Sequence, residues 1–227
     1  REEGKVVLAC TNRLGCPAQQ LAAIEFFASR GQMNIDGLGE KVVAQLVSAG
    51  LVRDVADIFT LRWEQLDQLA RFAAPSAPPL VAAIEKARQA ATFSRLLAAL
   101  GIPHVGGVAA KAVAQKYVRL SALRAAAAAT APRREAPNKK RQPTGEAGSA
   151  FVEQLSEIEG IGEIIAVAVD RFLRDPHVAT VLDKLAAQGI DPAEPIVEVT
   201  TGPLTGKTLF VTGTLTAPRA DIQRRIE

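Results

Sequence analysis

Apolar residues recur every three to four positions over most of the chain, and short loops rich in glycine or proline separate these stretches. The clearest stretches run from Gln19 to Ser29, from Leu80 to Leu100 and from Phe151 to Ile158. The second is predicted to be one uninterrupted helix that Gly101 ends. The pattern therefore predicts a mainly α-helical chain.

Shorter stretches follow the same spacing. Residues 51–69 predict two short helices, with Asp57 and Thr60 as their caps. Further helices are predicted at 111–117, 166–173 and 177–188.

Two loops between predicted helices share one pattern, a hydrophobic residue between two glycines: Gly37-Leu38-Gly39 and Gly160-Ile161-Gly162. Glycine adopts positive φ and lets another backbone approach closely. A turn at the start of a helix also directs unpaired backbone N–H groups outward, where they bind an anion. The alternative is a turn that only joins two helices. Repetition favours binding to the phosphates of a nucleic acid.

A third copy of the loop lies within residues 101–111. His104 stands at its first glycine position, Val105 follows, and Gly106 and Gly107 precede a helix. Lys111 in this copy and Lys41 in the first are predicted to add positive charge beside the loops.

A degenerate copy lies at residues 69–77, where Arg71 and Ala73 replace both glycines. Pro75, Pro78 and Pro79 are predicted to disturb the helix that follows. We expect this hairpin to be structural rather than DNA-binding.

The four loops recur with a regular spacing. Their first glycine positions are 37, 71, 104 and 160, and small residues stand four positions after each second glycine: Val43, Ala77, Ala110 and Ala166. Small side chains there would let paired helices approach closely. The longer last interval predicts an insertion between the third and fourth hairpins.

The predicted insertion covers about residues 119–150 and begins as a fraying helix. Five alanines precede a segment, residues 132–142, with five cations and one anion. We interpret it as a flexible cationic insert. Because the whole chain carries only +3, the remainder is close to neutral, which disfavours non-specific coating of DNA by a uniformly basic face.

Composition also restricts the fold class and the mode of binding. The 227 residues are 48% hydrophobic and only 4% aromatic, which favours packed helices and disfavours recognition of bases by aromatic stacking. We expect a cytoplasmic protein that does not bind membranes, because neither a signal peptide nor a membrane-spanning run is evident.

Cys10 and Cys16 are the chain's two cysteines. They could supply half of a four-ligand zinc site, remain free thiols or form a disulfide. No cluster of histidines and carboxylates predicts another metal site or a catalytic centre. Beyond a proline-bearing segment at 190–203, residues 206–215 predict a strand and residues 219–227 the start of a helix.

Taken together, these residues resemble the C-terminal half of bacterial NAD-dependent DNA ligases. Cys10 to Gln19 is similar to the second cysteine pair of that family's zinc finger. The four hairpins, including the form Gly101-Ile-x-His-Val-Gly106, resemble its helix-hairpin-helix domain, and residues 206–215 resemble the first strand of its BRCT domain.

The resemblance implies a fold that is mainly α. A tandem helix-hairpin-helix domain at 31–189 would follow half of a small zinc finger with a connecting helix at 1–30. A linker at 190–203 would lead to a truncated α/β BRCT segment at 204–227.

The resemblance also implies an activity, the sealing of nicks in duplex DNA during replication and repair. The enzyme would act as a monomer. NAD and magnesium would serve the parent enzyme without binding here, and zinc would bind at a site that Cys10 and Cys16 half supply. The chain lacks the family's Lys-x-Asp-Gly motif, since Asn34 replaces the lysine in its nearest match. We therefore expect no ligation by the chain alone.

The predicted DNA contacts are backbone amides of the loops 37–39, 105–107 and 160–162, which would bind phosphates across a minor groove irrespective of sequence. Two alternatives remain open at this point. One is a non-enzymatic helix-hairpin-helix scaffold, and the other is the hairpin portion of a repair nuclease.

Overall fold

A computed structural model describes residues 17–67, 77–130 and 149–195. The chain divides into two units, Arg1–Ile196 and Val197–Glu227, and every described residue belongs to the first. The predicted zinc ligands Cys10 and Cys16, the loop of the second hairpin, most of the insert and the BRCT segment lie outside the described residues.

Where it is described, the chain is helical and contains no strand. The helices are α1 (Pro17–Ala28), α2 (Glu40–Ser48), α3 (Trp63–Asp67), α4 (Ala77–Gln89), α5 (Phe93–Ala99), α6 (Gly107–Tyr117), α7 (Leu120–Ala128), α8 (Ala150–Ser156), α9 (Glu163–Arg174) and α10 (Pro176–Ala187), with a 3₁₀ turn at Asp57–Thr60. This confirms the mainly α prediction. None of these helices is long and apolar enough to cross a membrane.

Helices pack in consecutive pairs, α1 with α2, α3 with α4, α5 with α6 and α8 with α9. Val43, Ala110 and Ala166, the small residues four positions past each loop, are each 0% exposed. A larger side chain at these positions would separate the two helices of its pair. The burial of all three residues agrees with the close helix packing that the sequence spacing predicts.

One continuous apolar core joins the pairs. Its largest members include Phe27 of α1, Phe93 of α5 and Phe151 of α8, all fully buried. The ring of Phe27 meets Phe59 edge-on, with ring centroids 6.0 Å apart. The core therefore fixes the hairpins against one another.

The predicted single helix at residues 80–100 is wrong. Helix α4 ends at Gln89, and α5 begins at Phe93 after Thr92, whose hydroxyl accepts a hydrogen bond from the Arg95 amide at 3.3 Å. Apolar spacing continues across the break because both helices bury residues in the same core. The capping threonine was the local indication of a new helix.

Two expectations about turns also change. Pro78 and Pro79 lie in the first turn of α4 and do not disturb it, because first-turn N–H groups have no partner within the helix. Asp57 is not the cap of the 3₁₀ turn. Asp54 instead accepts hydrogen bonds from the amides of Ala56 and Asp57, at 2.9 and 3.3 Å.

The flexible insert does not begin at residue 119. Residues 120–128 form α7, and its Leu120, Leu123 and Ala127 are buried in the core. Although alanine-rich, this segment has apolar residues at helical spacing on one face, which tertiary packing stabilises.

The first six residues of the predicted linker at 190–203 are docked rather than free. Ile190 is 2% exposed, and the Glu194 carboxylate accepts hydrogen bonds from the Ser94 amide and hydroxyl at 2.7 and 2.8 Å. Asp191 accepts from the Ser121 amide and hydroxyl at 3.1 and 2.6 Å. These carboxylates supply acceptors for first-turn N–H groups of α5 and α7.

Candidate nucleic-acid interface

The three predicted DNA-binding loops share one backbone conformation. The residue at the first glycine position has positive φ in each, +84° at Gly37, +66° at His104 and +81° at Gly160. The second glycine is extended in each and serves as the N-cap of the following helix, with φ of −89°, −88° and −82° at residues 39, 106 and 162. The third loop therefore forms the same turn although histidine replaces its first glycine.

Buried side chains hold each loop in place. Leu38, Val105 and Ile161 are 4%, 7% and 3% exposed. Their amides donate to the carbonyls three residues earlier, at 3.3, 3.1 and 3.0 Å. The apolar residues between the glycines thus direct their side chains inward, which leaves the loop backbone at the surface.

The helices that follow the loops lack a capping side chain. Helices α2, α6 and α9 have glycine N-caps, which carry no oxygen that could accept a first-turn N–H. In contrast, α5, α8 and α10 are capped by the side chains of Thr92, Ser149 and Asp175. Side-chain acceptors are therefore present at the N-termini of α5, α8 and α10 and absent at the N-termini of the helices that follow the loops.

Glycine at the second loop position is not required by the fold. A Cβ on Gly39, Gly106 or Gly162 would meet no atom within 4 Å, and the φ values there suit any residue. The first position differs, because φ of +81° at Gly160 strains any L side chain. The open space beside the second glycines admits an external group that approaches the backbone closely.

The charges around the loops differ from one hairpin to the next. The third loop has exposed His104 and Lys111, and the fourth is flanked by exposed Glu159 and Glu163. The first loop is flanked by exposed Lys41 and also by exposed Asp36 and Glu40. Because phosphate is attracted to cations and repelled by carboxylates, electrostatics favour an anion most at the third loop and least at the fourth.

An open depression of about 480 Å³ lies over the first loop. Arg30 and Asn34, which the sequence analysis did not select, contribute to its lining beside Gly37. Asn34 has positive φ, +53°, so the backbone turns there as well. Arg30 lies before the loop in the same connection between α1 and α2.

The described residues contain no group of three or more histidine, cysteine, aspartate or glutamate side chains that could hold a metal ion. The predicted zinc ligands fall outside this part of the chain.

Comparison with known sequences agrees with the hairpin geometry. The family model described as "Helix-hairpin-helix motif" matches residues 95–130, which contain the third loop and α6. The chain is also similar to three proteins named DNA ligase. It is 37% identical over 227 residues to that of Rubrobacter xylanophilus, 41% over an alignment of 246 residues to that of Halorhodospira halophila, and 39% over 231 residues to that of Desulfosudis oleivorans.

These alignments include 100% of the chain in each case but only 29%, 33% and 30% of the respective relatives. The chain thus spans about a third of the length of the curated relatives it matches. Since the similarity extends over every part of the chain, the chain corresponds to a segment of proteins named DNA ligase, and this segment carries a helix-hairpin-helix motif.

Proposed function

We propose that the chain is the DNA-binding segment of an NAD-dependent ligase that seals nicks in duplex DNA. Its three glycine loops bind phosphates of the duplex through first-turn backbone amides. Lys41 and Lys111 add positive charge beside the first and third loops, and His104 lies in the third loop itself. Contacts of this kind depend on the shape of the backbone and not on base sequence. They suit an enzyme that acts at any nick.

The observation that carries this proposal is the repeated loop itself. In all three copies a positive-φ residue, a buried apolar residue and an extended glycine N-cap occur in the same order. The glycine N-caps leave N–H groups without a capping side chain, and the space beside those glycines is open. A row of outward N–H groups at the positive end of a helix dipole is a phosphate-binding arrangement.

The chemistry of sealing is assigned to other parts of the parent protein. NAD would supply the adenylyl group and magnesium would assist phosphoryl transfer there. Cys10 and Cys16 would contribute two of the four ligands of a zinc site in the parent protein. We propose that the parent acts as a monomer on DNA in the bacterial cytoplasm. A scaffold or nuclease role is disfavoured because the relatives are named DNA ligase.

The test is binding of the chain to fluorescent nicked duplex, intact duplex and single-stranded DNA, measured by anisotropy across a salt series. We expect both duplexes to bind more tightly than the single strand, with an affinity that falls as salt rises. No ligation is expected when NAD and magnesium are added. Equal or absent binding to all three DNAs would refute the proposal.

Gly106→Ala and Gly162→Ala test the loops directly. Because an added Cβ meets no protein atom at either position, each variant should unfold at nearly the same urea concentration as the parent chain. Each should bind duplex about tenfold more weakly, since the methyl group occupies space that a phosphate needs, a loss of about 1.4 kcal/mol. Gly31→Ala is the matched control, as Gly31 also has no atom near its Cβ but lies outside the loops.

A further inference from the structure

Two exposed apolar side chains occupy the same position in two different hairpins. Val108 is 87% exposed and Ile164 is 71% exposed, more than the other exposed large hydrophobic residues of the described chain, Trp63 at 54% and Phe26 at 44%. Each is the second residue of the helix that follows a glycine N-cap, in α6 after Gly106 and in α9 after Gly162. The equivalent residue of the first hairpin is Lys41.

Neither side chain is explained by the fold. A β-branched residue is a weaker helix former than alanine, and an exposed one buries little apolar surface in return. A single exposed valine would need no explanation. Recurrence at one structural position beside two phosphate-binding loops points to a shared contact outside the chain.

The position of these residues defines what they can touch. A side chain in the first turn lies beside the N–H groups of that turn, so it lies next to any phosphate bound there. In a DNA strand each phosphate is flanked by two deoxyriboses, whose C–H groups form the apolar part of the backbone. A branched aliphatic side chain packs against such a surface without a hydrogen-bonding partner.

We propose that Val108 and Ile164 pack against the deoxyriboses that flank the phosphates bound at the third and fourth loops. The inference rests on the proposed function and adds an apolar contact with the sugars to the binding of phosphates by backbone amides. It also gives the fourth hairpin a means of binding despite Glu159 and Glu163, because an apolar contact does not depend on charge. The first hairpin uses Lys41 at the same position and binds by charge instead.

An apolar contact and an ionic contact respond differently to salt, which separates them experimentally. The double variant Val108→Ala/Ile164→Ala should bind nicked duplex about tenfold more weakly at every salt concentration, because several buried methyl groups are lost. Its slope of log affinity against log salt should equal that of the parent chain. Lys41→Gln should instead make the slope shallower by about one unit or less, since one phosphate contact loses its cation.

Two controls keep the test decisive. Alanine favours helix more than valine or isoleucine does, so the double variant should unfold at a urea concentration no lower than that of the parent chain. The conservative pair Val108→Ile/Ile164→Val retains apolar surface and should bind within about twofold of the parent.

If the parent chain binds duplex and the alanine double variant binds equally well, the sugar contact is refuted while the proposed function stands. The same conclusion follows if the double variant changes the salt slope. If the parent chain does not bind duplex DNA, both the proposed function and this inference fail.

Discussion

Lys184 joins two parts of the domain that are far apart in sequence. Its Nζ lies 2.6 Å from Asp54 Oδ2 and 3.0 Å from Asp57 Oδ1, across sequence separations of 130 and 127 residues. The lysine belongs to α10, and the two aspartates lie in the segment after α2. We predict that Lys184→Met destabilises the folded chain by about 1–2 kcal/mol at neutral pH, between the values for exposed and buried ion pairs.

The magnitude follows from burial. Side-chain exposure is 42% for Lys184 but only 17% and 19% for Asp54 and Asp57, so solvent screens the lysine more than its partners. An exposed pair contributes about 0–1 kcal/mol, and breaking a fully buried pair costs about 3–5 kcal/mol. The loss stays below the upper range because each aspartate still accepts two backbone N–H bonds.

The dependence on pH has a definite sign. The hydrogen bond to Asp54 raises the pKa of Lys184 above its usual 10.5, with support from Asp57 and against the effect of burial. A pKa raised in the folded state means that the stabilisation is fully present below pH 10.5 and is lost as pH rises through the folded value. The stability difference between the parent chain and Lys184→Met should therefore be constant near neutral pH and shrink in alkali.

The assay is urea unfolding followed by far-UV circular dichroism, at low and high salt and over a series of pH values. Lys86→Met is the matched control, because Lys86 is an exposed helical lysine that forms no ion pair within the described residues. An equal loss in the two variants would refute the reasoning. So would a difference that grew above pH 10.5.

Three further single substitutions have expected effects on stability. Gly160→Ala should destabilise the chain by about 1–2 kcal/mol in urea unfolding, because φ is +81° there although the added Cβ has room. The free energy of unfolding of Gly162→Ala should stay within about 0.5 kcal/mol of the parent value, because reduced flexibility of the unfolded chain offsets the poorer N-cap. Equal losses of stability at Gly160 and Gly162 would contradict the conformational argument. Tyr117→Phe should stabilise the chain by about 0.5–1 kcal/mol, because the buried Tyr117 hydroxyl has no hydrogen-bond partner among the described residues. Burial, with a smaller contribution from Glu157, raises the pKa of Tyr117 above 10.0. The stability gain of Tyr117→Phe over the parent chain, measured by thermal unfolding, should therefore grow above that pH. A gain that shrinks there would contradict the reasoning.

The three glycine loops could be predicted from the amino-acid sequence. Glycine at positive φ, an apolar residue after it and a helix beyond the second glycine are all set within a few residues, so local pattern was sufficient to locate the loops. The small residues Val43, Ala110 and Ala166 could also be identified, since they recur at a fixed distance from each loop. The similarity to DNA ligases was likewise carried by motifs and their order.

Local pattern could not locate the boundary between α4 and α5. Both helices bury apolar residues in one core, so their spacing reads as continuous, and only the Thr92 cap separates them. The docking of residues 190–195 was missed for a different reason. Proline and acidic residues are typical of a linker, but here Asp191 and Glu194 supply acceptors at the N-termini of α7 and α5, which lie about 70 and 100 positions earlier.

Which apolar residues are exposed, and so available for binding, depends on how the helices pack. Helical spacing in α6 and α9 does not reveal that Val108 and Ile164 are exposed, because an apolar residue in a helix is normally assigned to the buried face. The contact between Lys184 and its aspartates was equally hidden, since it depends on how distant helices pack. Periodicity predicts which residues three or four positions apart share one face of a helix. The exposure of Val108 and Ile164 and the contacts of Lys184 instead depend on how whole hairpins assemble around a shared core.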